Sequence, residues 1–123
     1  MKPRPRSGLL LNGVLLVDKP AGVTSHDVVH KIRRNFRLPK VGHGGTLDPQ
    51  ATGLLIIMIG KGTKLSSRIM GTDKVYEGSM HLGVTTDTQD GDGEILEEKD
   101  FSHVTEEDVL REMNALKGDQ MQI

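Results

Sequence analysis

The chain has 123 residues, 35% of them hydrophobic, with no Cys or Trp and only Phe36, Tyr76 and Phe101 as aromatics. That allows one modest domain with a core of Leu, Ile, Val and Met, and it excludes disulfides and thiolate metal sites. The net charge of −1 conceals a division: residues 1–74 hold 13 Lys/Arg against 4 Asp/Glu, and residues 75–123 hold 3 against 13.

The N-terminus, MKPRPRS followed by GLLLNGVLLV, imitates a signal peptide. Asn12 and Gly13 interrupt the apolar run, Asp18-Lys19-Pro20 closes it, and no A-x-A site follows. The pattern predicts a flexible basic arm over 1–11, then a strand in GVLLVDK ended by a Lys-Pro-Ala-Gly turn. No run reaches the ~18 apolar residues of a membrane span, so a soluble, cytoplasmic protein is expected. TSHDVVHKIRRNF predicts an amphipathic helix capped by Thr24 or Ser25, with Val28, Ile32 and Phe36 on one face and Pro39 as its stop. A glycine-rich loop follows. LLIIMI, residues 54–59, predicts a strand buried on both faces. GTKLSSRIM predicts a short helix with Leu65 and Ile69 inward. KVYEGSMHLG alternates and predicts a strand; TTDTQDGDG predicts a polar turn, and EILEEK a short strand. TEEDVLREMNALKG predicts the clearest helix. It has a capping-box start at Thr105 and Asp108, a stripe of Val109, Met113 and Leu116, and a stop at Gly118. The terminal DQMQI is strand-like.

Three motifs fail. IGKGT ends like a phosphate-binding loop, but Leu55 stands where the first glycine belongs and Gly62 where Ser or Thr belongs. TQDGDGEILEEK matches a calcium loop at Asp90, Asp92 and Gly93, while Thr88 and Lys99 replace the first and last ligands. His26 and His30 have ligand spacing on a helix without a third ligand nearby, and His43 has no second His at i+3 to i+5. A solvated turn and a helix face are the plainer readings, and no metal is expected.

GHGGTLDPQATG, residues 42–53, is different. Asp48 before Pro49 is a common turn opener. Yet Pro49 holds Asp48 out of the helical region, and the glycines allow close backbone approach. A carboxylate fixed on a loop ahead of a buried strand is how nucleophiles are presented. The basic half offers a surface for a polyanion, with the acidic half held apart; two solvated faces pairing with each other fit the charge equally well.

GHGGTLDPQATGLL resembles the catalytic loop of the TruB family of pseudouridine synthases. GVLLVDKPAGVTSHDVV is similar to that family's opening strand and helix, IGKGTKL to its strand exit, and DKVYEGSMHLGVTTDTQDGDGEI to its tyrosine strand and following turn. The likeness is strong over about residues 12–98. One departure is Gly44, where the family loop usually has Thr. The resemblance implies an α+β pseudouridine synthase fold: a mixed, mostly antiparallel sheet with flanking helices, here incomplete. Residues 12–123 would be the first part of a catalytic domain, without its C-terminal part and RNA-binding domain. Asp48 would be the nucleophile that isomerises uridine to pseudouridine at position 55, in the T loop of tRNA, on a base taken out of its stack. His43, Gly45, Thr46, Leu47 and Tyr76 would contact the substrate, Tyr76 by stacking on the uracil. Lys19, Arg33, Arg34, Lys61 and Lys64 would meet the RNA backbone. No cofactor is implied, and the partner is the tRNA T-stem-loop. In the family an arginine beyond the length of this chain pairs with the Asp. The competing expectation is therefore an inactive RNA-binding fragment that self-associates, whereas the full-length enzyme is a monomer.

Overall fold

The computed structural model describes residues 10–121. They form two compact units, one ending at Val75 and one beginning at Tyr76. The sequence changes from basic to acidic at that same place. Most of the arm expected over 1–11 falls in residues 1–9, outside the described residues. No described helix is long and apolar enough to cross a membrane.

The first unit is built on strand β1 (Gly13–Lys19), helix α1 (Ser25–Asn35), strands β2 (Val41–His43) and β3 (Gly53–Ile59), a 3-10 segment (Gly60–Leu65) and helix α2 (Ser66–Met70). The sheet is antiparallel throughout, in the order β1-β3-β2. The most apolar strand takes the centre. Leu55, Ile57 and Met58 are buried there, and Ile57 and Met58 point to opposite faces. Leu54 is the exception to the expectation of burial on both faces, since it lies at the strand's start and is exposed. On one face, Leu55 and Ile57 pack with Val28 and Val29 of α1 and with Leu47. Each such side chain contributes roughly 1.5–3 kcal/mol by leaving water.

Helix α1 begins in a full capping box. Thr24 accepts from the Asp27 N–H at 3.0 Å, and Asp27 accepts from the Thr24 N–H at 2.9 Å. Its end corrects the sequence expectation. The helix stops at Asn35, before Pro39 can act. Arg37 takes a left-handed φ of 51°, and the N–H groups of Leu38 and Arg37 donate to the carbonyls of Arg33 and Arg34. That is a Schellman closure with a non-glycine residue at its turning point. The turn carries Phe36 out to solvent and buries Leu38, so the inward face is Ser25, Val28 and Val29, with Ile32 of the expected stripe partly buried beside them. Leu65, expected inward, is likewise exposed, because a 3-10 segment replaces the first turns of the predicted helix.

The second unit holds a hairpin of β4 (Val84–Thr86) and β5 (Ile95–Glu98), then helix α3 (Glu106–Ala115). The pairing is antiparallel, with a bulge at Thr85/Thr86. The acidic turn closes on itself. Asp90 accepts from the Thr88 hydroxyl at 2.6 Å and from the Asp92 N–H at 2.9 Å, and Asp87 accepts from the Glu94 N–H at 2.9 Å. The expected polar turn is present, and no group of three or more His, Asp or Glu among the described residues is arranged to hold a metal ion. The strand expected over 74–83 is not formed. The segment alternates correctly, but no described strand pairs with it, and Val75, Tyr76 and Met80 are exposed. Residues 119–121 are not a strand either, and residues 122–123 lie outside the described residues. The capping box of α3 is present, while Leu110, Met113 and Leu116 remain exposed.

Candidate active site

Asp48 sits at the tip of the connection between β2 and β3. The Ala51 N–H donates to the Asp48 carbonyl at 3.0 Å, which closes a β-turn with Pro49 at its second position. The residue is exposed, and among the described residues of this unit it forms no ion pair. The backbone around it is held from three directions.

The first hold is Lys19. It ends β1 on the same inward side as Val17, two residues earlier, and has no exposed surface. Its ammonium donates to the carbonyls of Pro20 at 2.9 Å, Val23 at 2.7 Å and Pro49 at 2.9 Å. The Gly22 N–H reaches the same Pro49 carbonyl at 2.8 Å. All three ammonium protons are thus used in fastening the Pro20–Val23 turn to the Asp48 turn. This corrects the expectation of a phosphate contact: Lys19 is inaccessible and fully engaged. The signal was present in the sequence, because a period-2 strand places residue 19 on the core side.

The second hold is Ser25, 1% exposed. Its hydroxyl accepts from the Leu47 N–H at 2.9 Å and donates to the Leu47 carbonyl at 3.2 Å. The Leu47 side chain belongs to the core cluster. Leu47, expected to touch substrate, therefore anchors the loop from below. No sequence signal reveals the Ser25 contact, since Ser after Thr at a helix start simply reads as a cap.

The third hold is at the glycines. The Gly44 N–H donates to the Ile56 carbonyl at 2.8 Å and continues the β2–β3 pairing. A Cβ on Gly44 would overlap the Cγ2 of Ile69, so Ile69 of α2 fills the space that the family's usual Thr would need. Gly45 has φ +144°, and a Cβ there would lie 2.8 Å from the Lys74 ammonium. Both positions require glycine as this loop is built. The His43 Nδ1 lies 2.8 Å from the Gly45 carbonyl. A carbonyl only accepts, so Nδ1 carries the proton.

The first unit therefore brings together His43, Gly45, Thr46, Leu47 and Asp48, with Lys19 and Ser25 beneath them. Thr46 is exposed beside Asp48. Arg33 and Arg34 lie exposed in the last turn of α1, and Lys61 and Lys64 lie exposed in the 3-10 segment, none of them ion-paired among the described residues. Tyr76 belongs to the second unit, where it is exposed.

Asp48 thus carries an exposed side chain on a turn fastened by Lys19 and Ser25, with the Lys74 ammonium close to Gly45. Residues 33–123 match the family described as TruB family pseudouridylate synthase (N terminal domain), and the chain belongs to that family. It is 50% identical over 112 residues to the tRNA pseudouridine synthase B of Opitutus terrae, covering 91% of this chain and 46% of that protein. The counterpart from Syntrophotalea carbinolica is 49% identical over 113 residues, with 90% and 37% covered. That of Corynebacterium glutamicum is 45% identical over 120 residues, with 98% and 39% covered. The chain thus spans less than half the length of these curated relatives. A solved H/ACA RNP bound to a substrate RNA containing 2′-deoxyuridine is also similar, with a TM-score of 0.45 and 46% identity over 46% of this chain and 18% of that one. The α+β class implied by the sequence is that of the structure, and its sheets are antiparallel among the described residues.

Proposed function

We propose that the chain is the Asp-bearing part of the catalytic domain of a cytoplasmic tRNA pseudouridine synthase acting on the T-loop uridine at position 55. The observation that carries this reading is the mounting of Asp48. Its carboxylate is exposed, while the residues on either side are fixed by Ser25 and Lys19. Asp48 attacks the sugar or the uracil ring, the N1–C1′ bond breaks, the base turns in place, C5 bonds to C1′, Asp48 is released, and the proton lost from C5 is balanced by one gained at N1. The target base leaves its stack to reach a loop of this shape. Tyr76 stacks on it, and His43, with Nδ1 tied to the loop, presents its other nitrogen. Arg33, Arg34, Lys61 and Lys64 meet phosphates.

A second reading, an RNA-binding piece without turnover, is favoured by one observation: Asp48 has no ion pair among the described residues of its unit. The exposed apolar residues of α3 would then promote self-association. The test is to incubate an unmodified tRNA transcript with the complete gene product and, separately, with the 123-residue chain. The RNA is then derivatised with a pseudouridine-specific reagent and mapped. Modification of the T-loop uridine by the complete product alone is expected. Modification elsewhere, or none, would contradict the assignment.

A further inference from the structure

Helix α1 starts at a point that cannot easily shift. Its capping box fixes the first turn, and Val28 and Val29 lock the same turn into the core. Ser25 is the first helical residue, and its side chain is spent entirely on one other residue. The hydroxyl bonds both backbone polar groups of Leu47, at 2.9 and 3.2 Å. The Leu47 N–H belongs to the peptide plane shared with Thr46, and its carbonyl belongs to the plane shared with Asp48. One buried hydroxyl thus sets the orientation of both planes that lead into Asp48. The Leu47 side chain, 8% exposed, keeps the residue from rotating about that contact.

We propose that Ser25 is a positioning residue for Asp48: its buried hydroxyl orients the peptide plane between Leu47 and Asp48, and with it the direction in which the carboxylate faces the substrate. The proposal rests on the reading of Asp48 as the nucleophile. Ser25 itself touches no reacting atom. Without its hydroxyl, both Leu47 groups lose their partner in a buried place, and the loop must rotate to satisfy them. Lys19 and Gly22 still hold Pro49, so the expected change is a swing of residues 46–48 rather than loss of the fold.

The experiment uses the complete gene product and three forms: wild type, Ser25→Ala and Ser25→Cys, which keeps the size and a weak hydrogen-bonding group. Single-turnover rate on tRNA, tRNA affinity and hydrogen exchange at the Leu47 amide are measured on the folded, titrated fraction. In Ser25→Ala the rate should fall about 10- to 100-fold, as for a catalytic group displaced by about an ångström, with tRNA affinity within about twofold of wild type. Ser25→Cys should fall between the two. Exchange at Leu47 should quicken about tenfold while β3 amides stay protected. If Ser25→Ala does not fold, the Ser25→Cys rate and its Leu47 exchange decide. A rate within about twofold of wild type, or an unchanged Leu47 amide, would overturn the proposal alone. A wild-type enzyme that makes no pseudouridine would take down the nucleophile reading first, and the proposal with it.

Discussion

Two helices of this molecule begin in the same way and end up in different conditions. Both α1 and α3 start with a Thr whose side chain and backbone exchange hydrogen bonds with an Asp three residues on. Helix α1 buries Ser25, Val28 and Val29 against a sheet, whereas α3 buries nothing in its unit. The contrast extends to the whole units. All buried hydrophobic side chains among the described residues lie in the first unit, between Val28 and Met58. The second is held by local hydrogen bonds of its acidic turn, its short hairpin and its helix cap. Local signals suffice to shape a helix or a turn; what gives an element weight is a partner surface. The first unit has that weight, and it is the unit that carries Asp48.

The largest expected effect separates the two units directly. Ile57→Ala removes a fully buried side chain from the central strand and should cost about 2–5 kcal/mol. Met113→Ala, on exposed α3, should change stability by less than about 0.5 kcal/mol. Urea unfolding of the two variants measures both, and equal shifts would break the comparison. Next comes the charge on the first unit. Replacing Arg33 and Arg34 together with Ala should weaken tRNA binding and flatten the plot of log affinity against log salt by about 1.5–2 in slope, since each phosphate contact releases counterions. An unchanged slope would turn this helix end away from RNA.

The smallest effect is acidic fraying. Hydrogen bonds from the Thr24 backbone and hydroxyl hold the Asp27 carboxyl below its ordinary value, and those from Thr105, with Arg111, do the same for Asp108. A depressed carboxyl stabilises the folded helix above the ordinary aspartate range, and that contribution is lost as pH falls through the depressed value. Helix α3 has no core to retain it, so it should fray first. Far-UV circular dichroism should show a small loss of helix on acidification that is absent in Asp108→Ala. The same acid limb in both proteins would show that the cap does not govern it.

Much of this was legible from residue patterns. Strands β1, β3 and β5 and both long helices follow from apolar periodicity and cap residues, and the change of charge near residue 75 falls at the division between units. The misses have physical causes. Strand β2 is three residues long with Gly42 at its centre, so it offers no alternation to read. The segment 74–83 has alternation but no ladder partner among the described residues, and a strand is defined by its neighbour. Phe36 fits the helical stripe, yet the left-handed Arg37 turns the chain before that face continues. Around Asp48, the motif made the carboxylate visible, but its supports were not. Ser25 meets Leu47 across 22 positions of sequence, and the Lys19 ammonium meets Pro49 across 30. Contacts of that span leave no periodic trace.

The first unit is proposed to hold the Asp48 carboxylate in place for attack, and Asp48→Asn tests this most directly. The amide keeps the shape of the turn and removes the nucleophilic charge. In the complete gene product, the substitution should reduce pseudouridine formation in tRNA by at least about a thousandfold, in keeping with the loss of a nucleophile. tRNA affinity should stay within about threefold of wild type, because Arg33, Arg34, Lys61 and Lys64, the cations proposed to meet phosphates, are untouched. Turnover retained at one-tenth of wild type or more would contradict the account.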